Sequence, residues 1–423
     1  MFTNNLEKYK LRLSNIYQSL KNEILFTIFT YFGTATSIVS GVLLARHLGV
    51  NDRGNLAYYS SFILLACFFS SFNFSSGTAR IIDQNLAIST EKNWVKFAKI
   101  IGIGYLLSAT FACLVIFGDV IQNENEKNYL LFLLTATGLA AISSYFEGVW
   151  TYFGTLKFVS VSRFIGLFIP AFYSVMLVIY NKATIRNLLL SQLLVLICNA
   201  ILIIIFLKHE QNIKLPDFNI TFKSAIRGMP TYLIDYFSGW YITYSIMHLD
   251  GAFALGNFAI AISLTSAADS IFGASRVKYY KLLVHHNIMN FNELLIKLLR
   301  STGPSLLLHI IFIPTAFLIP KIYGPDFYPA RKIAIFLLLS RSISIIARTI
   351  VLYLSSIRKD RYTIYIYLSF LITFFISSSA NAIKILGYYW TYPFLLASTT
   401  MLFSSLTLLY VSYLKIRNSN PVT

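Results

Sequence analysis

Residues 335–354 read IFLLLSRSISIIARTIVLYL, an apolar run interrupted by Arg341 and Arg348. Its length suits a membrane span, which needs about 20 mostly apolar residues. An arginine near mid-bilayer costs about 2.5–3.5 kcal/mol on insertion scales, so two of them demand a reason. Seven residues is close to two helical turns, which puts both side chains on one face about 10.5 Å apart, with Ser344 between them. Such a pair fits a watery cavity, an acidic partner or an anionic ligand, and the rest of the chain has to choose.

The surroundings are as apolar as this run. Of 423 residues, 56% are hydrophobic, 16% aromatic and 12% charged, and the mean hydropathy is +0.65. A soluble domain carries roughly a quarter charged residues, so these proportions predict a polytopic helical membrane protein. The net charge of +18 is read through the short loops, where lysine and arginine set orientation and meet anionic headgroups; nucleic acid is not an expected partner. Cys67, Cys113 and Cys198 each sit alone in an apolar run, without the spacing of a disulfide framework or metal site. The polar stretch 1–22 precedes the first apolar run, which is therefore expected to be a retained span and not a cleaved signal.

Apolar runs occur at 24–45, 57–76, 97–118, 128–149, 162–180, 188–207, 229–247, 255–275, 301–320, 333–357, 362–383 and 391–414. The expected architecture is an all-α integral membrane protein with about twelve transmembrane helices, in two six-helix halves around a central cavity. Placing the N-terminus in the cytoplasm puts 24 of the 35 lysines and arginines inside and 9 outside, leaving only Arg341 and Arg348 within a span. The positive-inside rule then predicts two cytoplasmic termini.

An internal echo supports the two halves. HLGVNDRGNLAYYSS from His47 resembles HLDGAFALGNFAIAIS from His248, and each copy follows the first span of its half. An even number of spans per half makes the repeats parallel, related by an axis along the membrane normal. The expected division is a first half over 1–207, a cytoplasmic linker over 208–228 and a second half over 229–423.

LLARHLGVNDRGNLAYYSSF at Leu43, SSGTAR ending at Arg80, GMP at Gly228 and IPKIYGPDFYPARKIAIFLLL from Ile319 resemble the polysaccharide-export branch of the multidrug/oligosaccharidyl-lipid/polysaccharide exporter superfamily. YGPDFYPA is the strongest local match. Within the superfamily the chain is most similar to the Wzx-type O-antigen flippases. That resemblance implies a bacterial inner-membrane protein moving an undecaprenyl-pyrophosphate-linked oligosaccharide from the cytoplasmic to the periplasmic leaflet by alternating access. It also implies membrane lipids, a polysaccharide polymerase and a chain-length regulator as partners, and no cofactor. Two features depart from the pattern. The family often carries an aspartate followed by a basic residue late in span seven, where this chain reads YITYSIM, and the lipid II flippases usually carry two further spans. The cation-coupled drug antiporters of the same superfamily are the alternative.

An anionic pyrophosphate makes sense of the arginines, because guanidinium groups bind it in a bidentate way. Arg348 and Arg341 are the first candidates for substrate binding, with Arg80 and Arg163 guiding the headgroup in or serving only as orientation signals. Asp235, Asp269 and Glu147 are the acidic counterparts. They either couple an ion to transport or form ion pairs that lock the helices. His285 and His286 fall in RVKYYKLLVHHNIMNFNELL, which reads as an interfacial amphipathic helix, and His309 reads as a helix-packing residue. Aromatic residues in TYLIDYFSGWYITY, from Thr231, are able to stack on sugars but more often pack or anchor spans. The sequence has no phosphate loop, HExxH or nucleophile elbow, so no catalytic or metal residues and no enzyme activity are expected; a polytopic polysaccharide-assembly enzyme is the reading of a different class.

Overall fold

The computed structural model describes residues 2–75, 77–78, 93–117, 124–152, 156–209, 215–284, 291–356, 359–379 and 391–419. Over these residues the chain is built of α-helices: α1 (Phe2–Ser71), α2 (Asn93–Phe117), α3 (Glu124–Ala136), α4 (Ala140–Tyr152), α5 (Leu156–Ile179), α6 (Ile185–His209), α7 (Phe218–Val284), α8 (Phe291–Ala316), the short α9 (Ile319–Tyr323), α10 (Tyr328–Ser356), α11 (Asp360–Ser379) and α12 (Thr391–Ser419). A single 3-10 turn, Thr137–Leu139, joins α3 to α4. The chain is an all-helical integral membrane protein.

Among the described residues nine helices are long and apolar enough to cross a membrane, or ten when α8, bent by 43° between Arg300 and Thr302, counts as one span. Twelve spans follow only if α1 and α7 each count as two crossings. Their lengths favour that: at 1.5 Å per residue, the 70 residues of α1 would make a rod of roughly 105 Å, against a hydrocarbon core of about 30 Å. Gly49 (φ 73°, ψ 178°) interrupts α1 and Gly251 (φ 80°, ψ −179°) interrupts α7. This region of backbone space is essentially closed to residues with a Cβ. Thr34–Leu44 and Arg53–Leu65, on opposite sides of Gly49, border one cavity, so the chain folds back there. The loops expected at these two places are therefore kinks in near-continuous helix.

The two kinks are copies of each other. Gly49 and Gly251, and likewise Gly54 and Gly256, stand 202 residues apart. A Cβ on Gly54 would overlap the carbonyl oxygen of Ala252, and a Cβ on Gly256 would overlap that of Val50. Those carbonyls are themselves 202 residues apart, so the contact is reciprocal, as at a two-fold axis. Only glycine lets the two backbones approach this closely.

From this junction an aromatic seam runs between α1 after its kink and α7 before its own. The Tyr58 hydroxyl lies 3.3 Å from His248 Nε2. Further along, Phe62 meets Trp240, Phe68 stacks on Tyr236 at 4.2 Å, and Phe72, just past the end of α1, stacks on Phe222 at 4.9 Å. Each such pair adds roughly 0.5–1.5 kcal/mol beyond its area. Arg46 ties the same junction to α9 by donating from Nε to the Ile322 carbonyl at 2.7 Å and from Nη2 to that of Lys321 at 3.2 Å. The segment expected as a linker, 208–228, is helical at both ends, since α6 runs to His209 and α7 begins at Phe218.

Candidate functional site

Placement of the site begins with YGPDFYPA. The chain turns at Gly324 (φ 126°), and Pro325–Phe327 forms a 3-10 turn that buries Phe327 and leads into α10. The first turn of a helix leaves amides without intrahelical partners. Here Asn257 of α7 accepts from the Ala330 amide at 3.1 Å while its own amide donates to the Phe253 carbonyl. Nearly three turns on, the Ser340 hydroxyl meets that of Ser398 at 2.6 Å, tying α10 to α12. These anchors fix the rotation of α10 and with it the direction of its arginines.

Arg341 and Arg348 border a cavity of about 700 Å³ whose walls come from α1, α5, α6, α7, α9 and α10. Ser344 does not share their exposure; it is buried and donates to the Arg341 carbonyl at 3.0 Å. A third arginine, Arg53, lines the same cavity. Its Nε has no hydrogen-bond partner, and it lies near Tyr323, whose phenol burial pushes up while the Arg53 charge works against that rise. Ser37, Ser60, Thr243, Gln192, Tyr236 and Trp240 add hydroxyl, amide and aromatic surface. Among the described lining residues three are cationic and none is a carboxylate.

Beside the cavity Asp269 lies between Arg341 and His309. Its Oδ2 is 3.9 Å from Arg341 Nη1, a loose ion pair, and its Oδ1 is 3.2 Å from His309 Nε2. The second contact is close but not aligned as a hydrogen bond. His309 is wholly buried and its Nδ1 lies 2.7 Å from the Ser305 carbonyl. The packing histidine expected in α8 thus faces a carboxylate from α7.

The other candidates lie elsewhere. Arg163 pairs with Glu147 at 3.9 Å, both side chains being well exposed, and neither residue borders the cavity. Arg80, His285 and His286 lie outside the described residues, and Asp235 lies on α7 with its side chain outside them. Arg53 was assigned to an outer loop on sequence; its place in the repeat, four residues from the kink at Gly49, was the available signal. His309 and Asp269 belong to different helices, and no spacing in the sequence announces their contact.

No family model matches this chain and no curated protein matches it. Solved structures do match. A MATE multidrug transporter, DinF-BH, aligns with a TM-score of 0.67 at 11% identity, covering 93% of this chain and 95% of its own. An inward-facing multidrug-resistance transporter of the MATE family aligns at 0.63 with 9% identity, over 91% and 95% of the two chains. The lipid II flippase MurJ, in an inward closed conformation, aligns at 0.57 with 17% identity over 93% of both. At these identities the likeness establishes a shared fold, and over nearly the full length this chain has the fold of those transporters.

Proposed function

We propose that this chain is a flippase of the multidrug/oligosaccharidyl-lipid/polysaccharide exporter superfamily. Its substrate is an undecaprenyl-pyrophosphate-linked oligosaccharide, a repeat unit of O-antigen or a related surface polysaccharide, carried from the cytoplasmic to the periplasmic leaflet. The observation that carries this reading is the charge of the cavity: three arginines and no carboxylate among its described lining residues. A pyrophosphate matches that lining, since guanidinium forks donate to its oxygens two at a time. Serines, threonines, Gln192 and the aromatic pair Tyr236 and Trp240 offer sugar hydroxyls and ring faces their complements. The polyprenyl tail stays in lipid while the headgroup crosses in water, which lowers the barrier without any covalent step and requires no enzyme.

In this reading both termini are cytoplasmic, 1–207 and 229–423 are the two rocking halves, and the glycine junction is their periplasmic closure. Arg348 and Arg341 hold the pyrophosphate, while Arg80 and Arg163, with Glu147 beside it, guide the headgroup at the cytoplasmic entrance. The fold shared with MATE multidrug transporters favours a second reading, a drug antiporter. The cavity charge weighs against organic cations, which call for an acidic lining.

Deletion separates the two. A flippase deletion is expected to abolish surface polymer while complete lipid-linked repeat units accumulate on the cytoplasmic leaflet. Normal polymer with a changed drug-resistance profile would instead identify the antiporter.

A further inference from the structure

We infer that α9 is a plug over the outer end of the cavity, latched across the two halves by Arg46 and set in place by the glycine of YGPDFYPA. The latch lies in the acceptors that Arg46 uses. The last carbonyls of a helix have no partner within it and carry its partial negative charge. In α9 these include the carbonyls of Lys321 and Ile322, and both accept from Arg46, at 3.2 Å and 2.7 Å. Arg46 belongs to α1, 275 and 276 residues earlier, so a side chain of the first half caps a helix of the second. One residue beyond Ile322, Tyr323 is buried and borders the cavity beside Arg53. Ile319 is buried as well, while Lys321 and Ile322 are exposed. One face of α9 therefore lies on the protein and the other on its exterior.

The motif supplies the placement. Gly324 has φ 126° and ψ 161°, a region open essentially to glycine alone, and the ring of Pro325 fixes φ at the next residue. On either side of this turn Tyr323 and Phe327 are buried and meet edge to face at 6.1 Å. The turn thus holds α9 against the cavity and hands the chain on to α10, so the motif acts in closure and not in binding. Opening the outer end requires α1 and α9 to part, and both bonds from Arg46 break when they do. Arg46 therefore weights the closed state against the open one. Arg53 lies next to Tyr323, so a headgroup that reaches it lies against the plug. That this end faces the periplasm, and that a headgroup leaves by it, rest on the flippase reading; the latch stands on the geometry.

The test is thiol labelling of the full chain, without substrate, in a background where Cys67, Cys113 and Cys198 are replaced by alanine. Ala57→Cys places the probe in the cavity wall. Ala112→Cys, buried and outside that wall, is the reference. A membrane-impermeant maleimide is applied to intact cells and, separately, to inside-out vesicles. Arg46→Ala is expected to speed labelling at position 57 from outside by about fivefold or more, the population shift that one net hydrogen bond is worth. Arg46→Lys, which keeps the charge and loses the fork, should fall between. In Gly324→Ala the added Cβ meets nothing within 4 Å, so only the backbone conformation is disturbed. This variant is expected to speed labelling with Arg46 intact, and it carries the test if Arg46→Ala does not reach the membrane. Acceleration seen only in inside-out vesicles would keep the plug and reverse the orientation. Unchanged labelling in both Arg46→Ala and Gly324→Ala would overturn the plug. Equal acceleration at position 112 would overturn it too, because that marks general loosening. With no substrate present, failure of the plug leaves the flippase reading standing, and a failed transport assay leaves the plug standing.

Discussion

The kinks at Gly49 and Gly251 are alike in backbone and unlike in chemistry. Their dihedral angles agree within 7° in φ and 3° in ψ, and each helix presses a glycine against a carbonyl of the other. Yet the residue 202 positions after Arg53 is Leu255, and both side chains line the same cavity. Asp269, His309, Arg341 and Arg348 all belong to the second half of the chain. A duplicated backbone thus supplies a symmetric junction, while the charges that distinguish a ligand are distributed without symmetry. Packing constrains Gly54 and Gly256, because any side chain there meets main-chain atoms; no such constraint holds the cavity-facing positions, which are free to differ.

The largest expected effect breaks the symmetric part. Gly54→Val or Gly256→Val places a branched side chain against a carbonyl that cannot retreat without separating the two helices. Overpacking alone costs about 1–3 kcal/mol, and here backbone must move, so folded protein in the membrane should be nearly lost. Gly166→Ala, where an added Cβ meets nothing within 4 Å, is the control and should gain up to about 1 kcal/mol from helix propensity. Thermal unfolding of the purified variants checks both. Equal tolerance at Gly54 and Gly166 would remove the junction from the account.

Next come the asymmetric charges. Arg348→Ala is expected to lower transport at least tenfold at unchanged abundance, equivalent to about 1.4 kcal/mol or more. Arg348→Lys should keep part of it, since charge survives and the fork does not. A purely structural ion pair would instead lower abundance, and neutralising Asp235 or Asp269 would then recover it. Arg53→Leu makes the first copy resemble the second and should weaken pyrophosphate binding several-fold with an unchanged melting temperature. The smallest effect belongs to Glu147 and Arg163. Their exposed pair is worth at most about 1 kcal/mol, so Glu147→Gln should leave stability within measurement error.

The sequence carried the membrane class in its composition and the cavity arginines in the cost of charge within lipid. The repeat was legible as two short similar strings, and their glycines proved to be the interruptions of α1 and α7. What remained hidden depended on how helices face one another. Arg163 was open between an entrance role and an orientation signal, and its exposed pairing with Glu147 could not be read from the sequence. His309 looked solitary because its partner comes from α7, about forty residues earlier. Arg53 was assigned to a loop because polar residues flank it, whereas helix continues through the kink and turns it inward.

The central claim is that an arginine-lined cavity selects an anionic lipid-linked headgroup over an organic cation. The direct measurement uses sealed vesicles with the purified full chain, following transbilayer movement of a pyrophosphate-linked polyprenyl oligosaccharide and, separately, of an organic cation. The account expects the glycolipid to cross, Arg348→Ala to slow it at least tenfold, and the cation to cross no faster than in protein-free vesicles. Cation movement with a stationary glycolipid would contradict it.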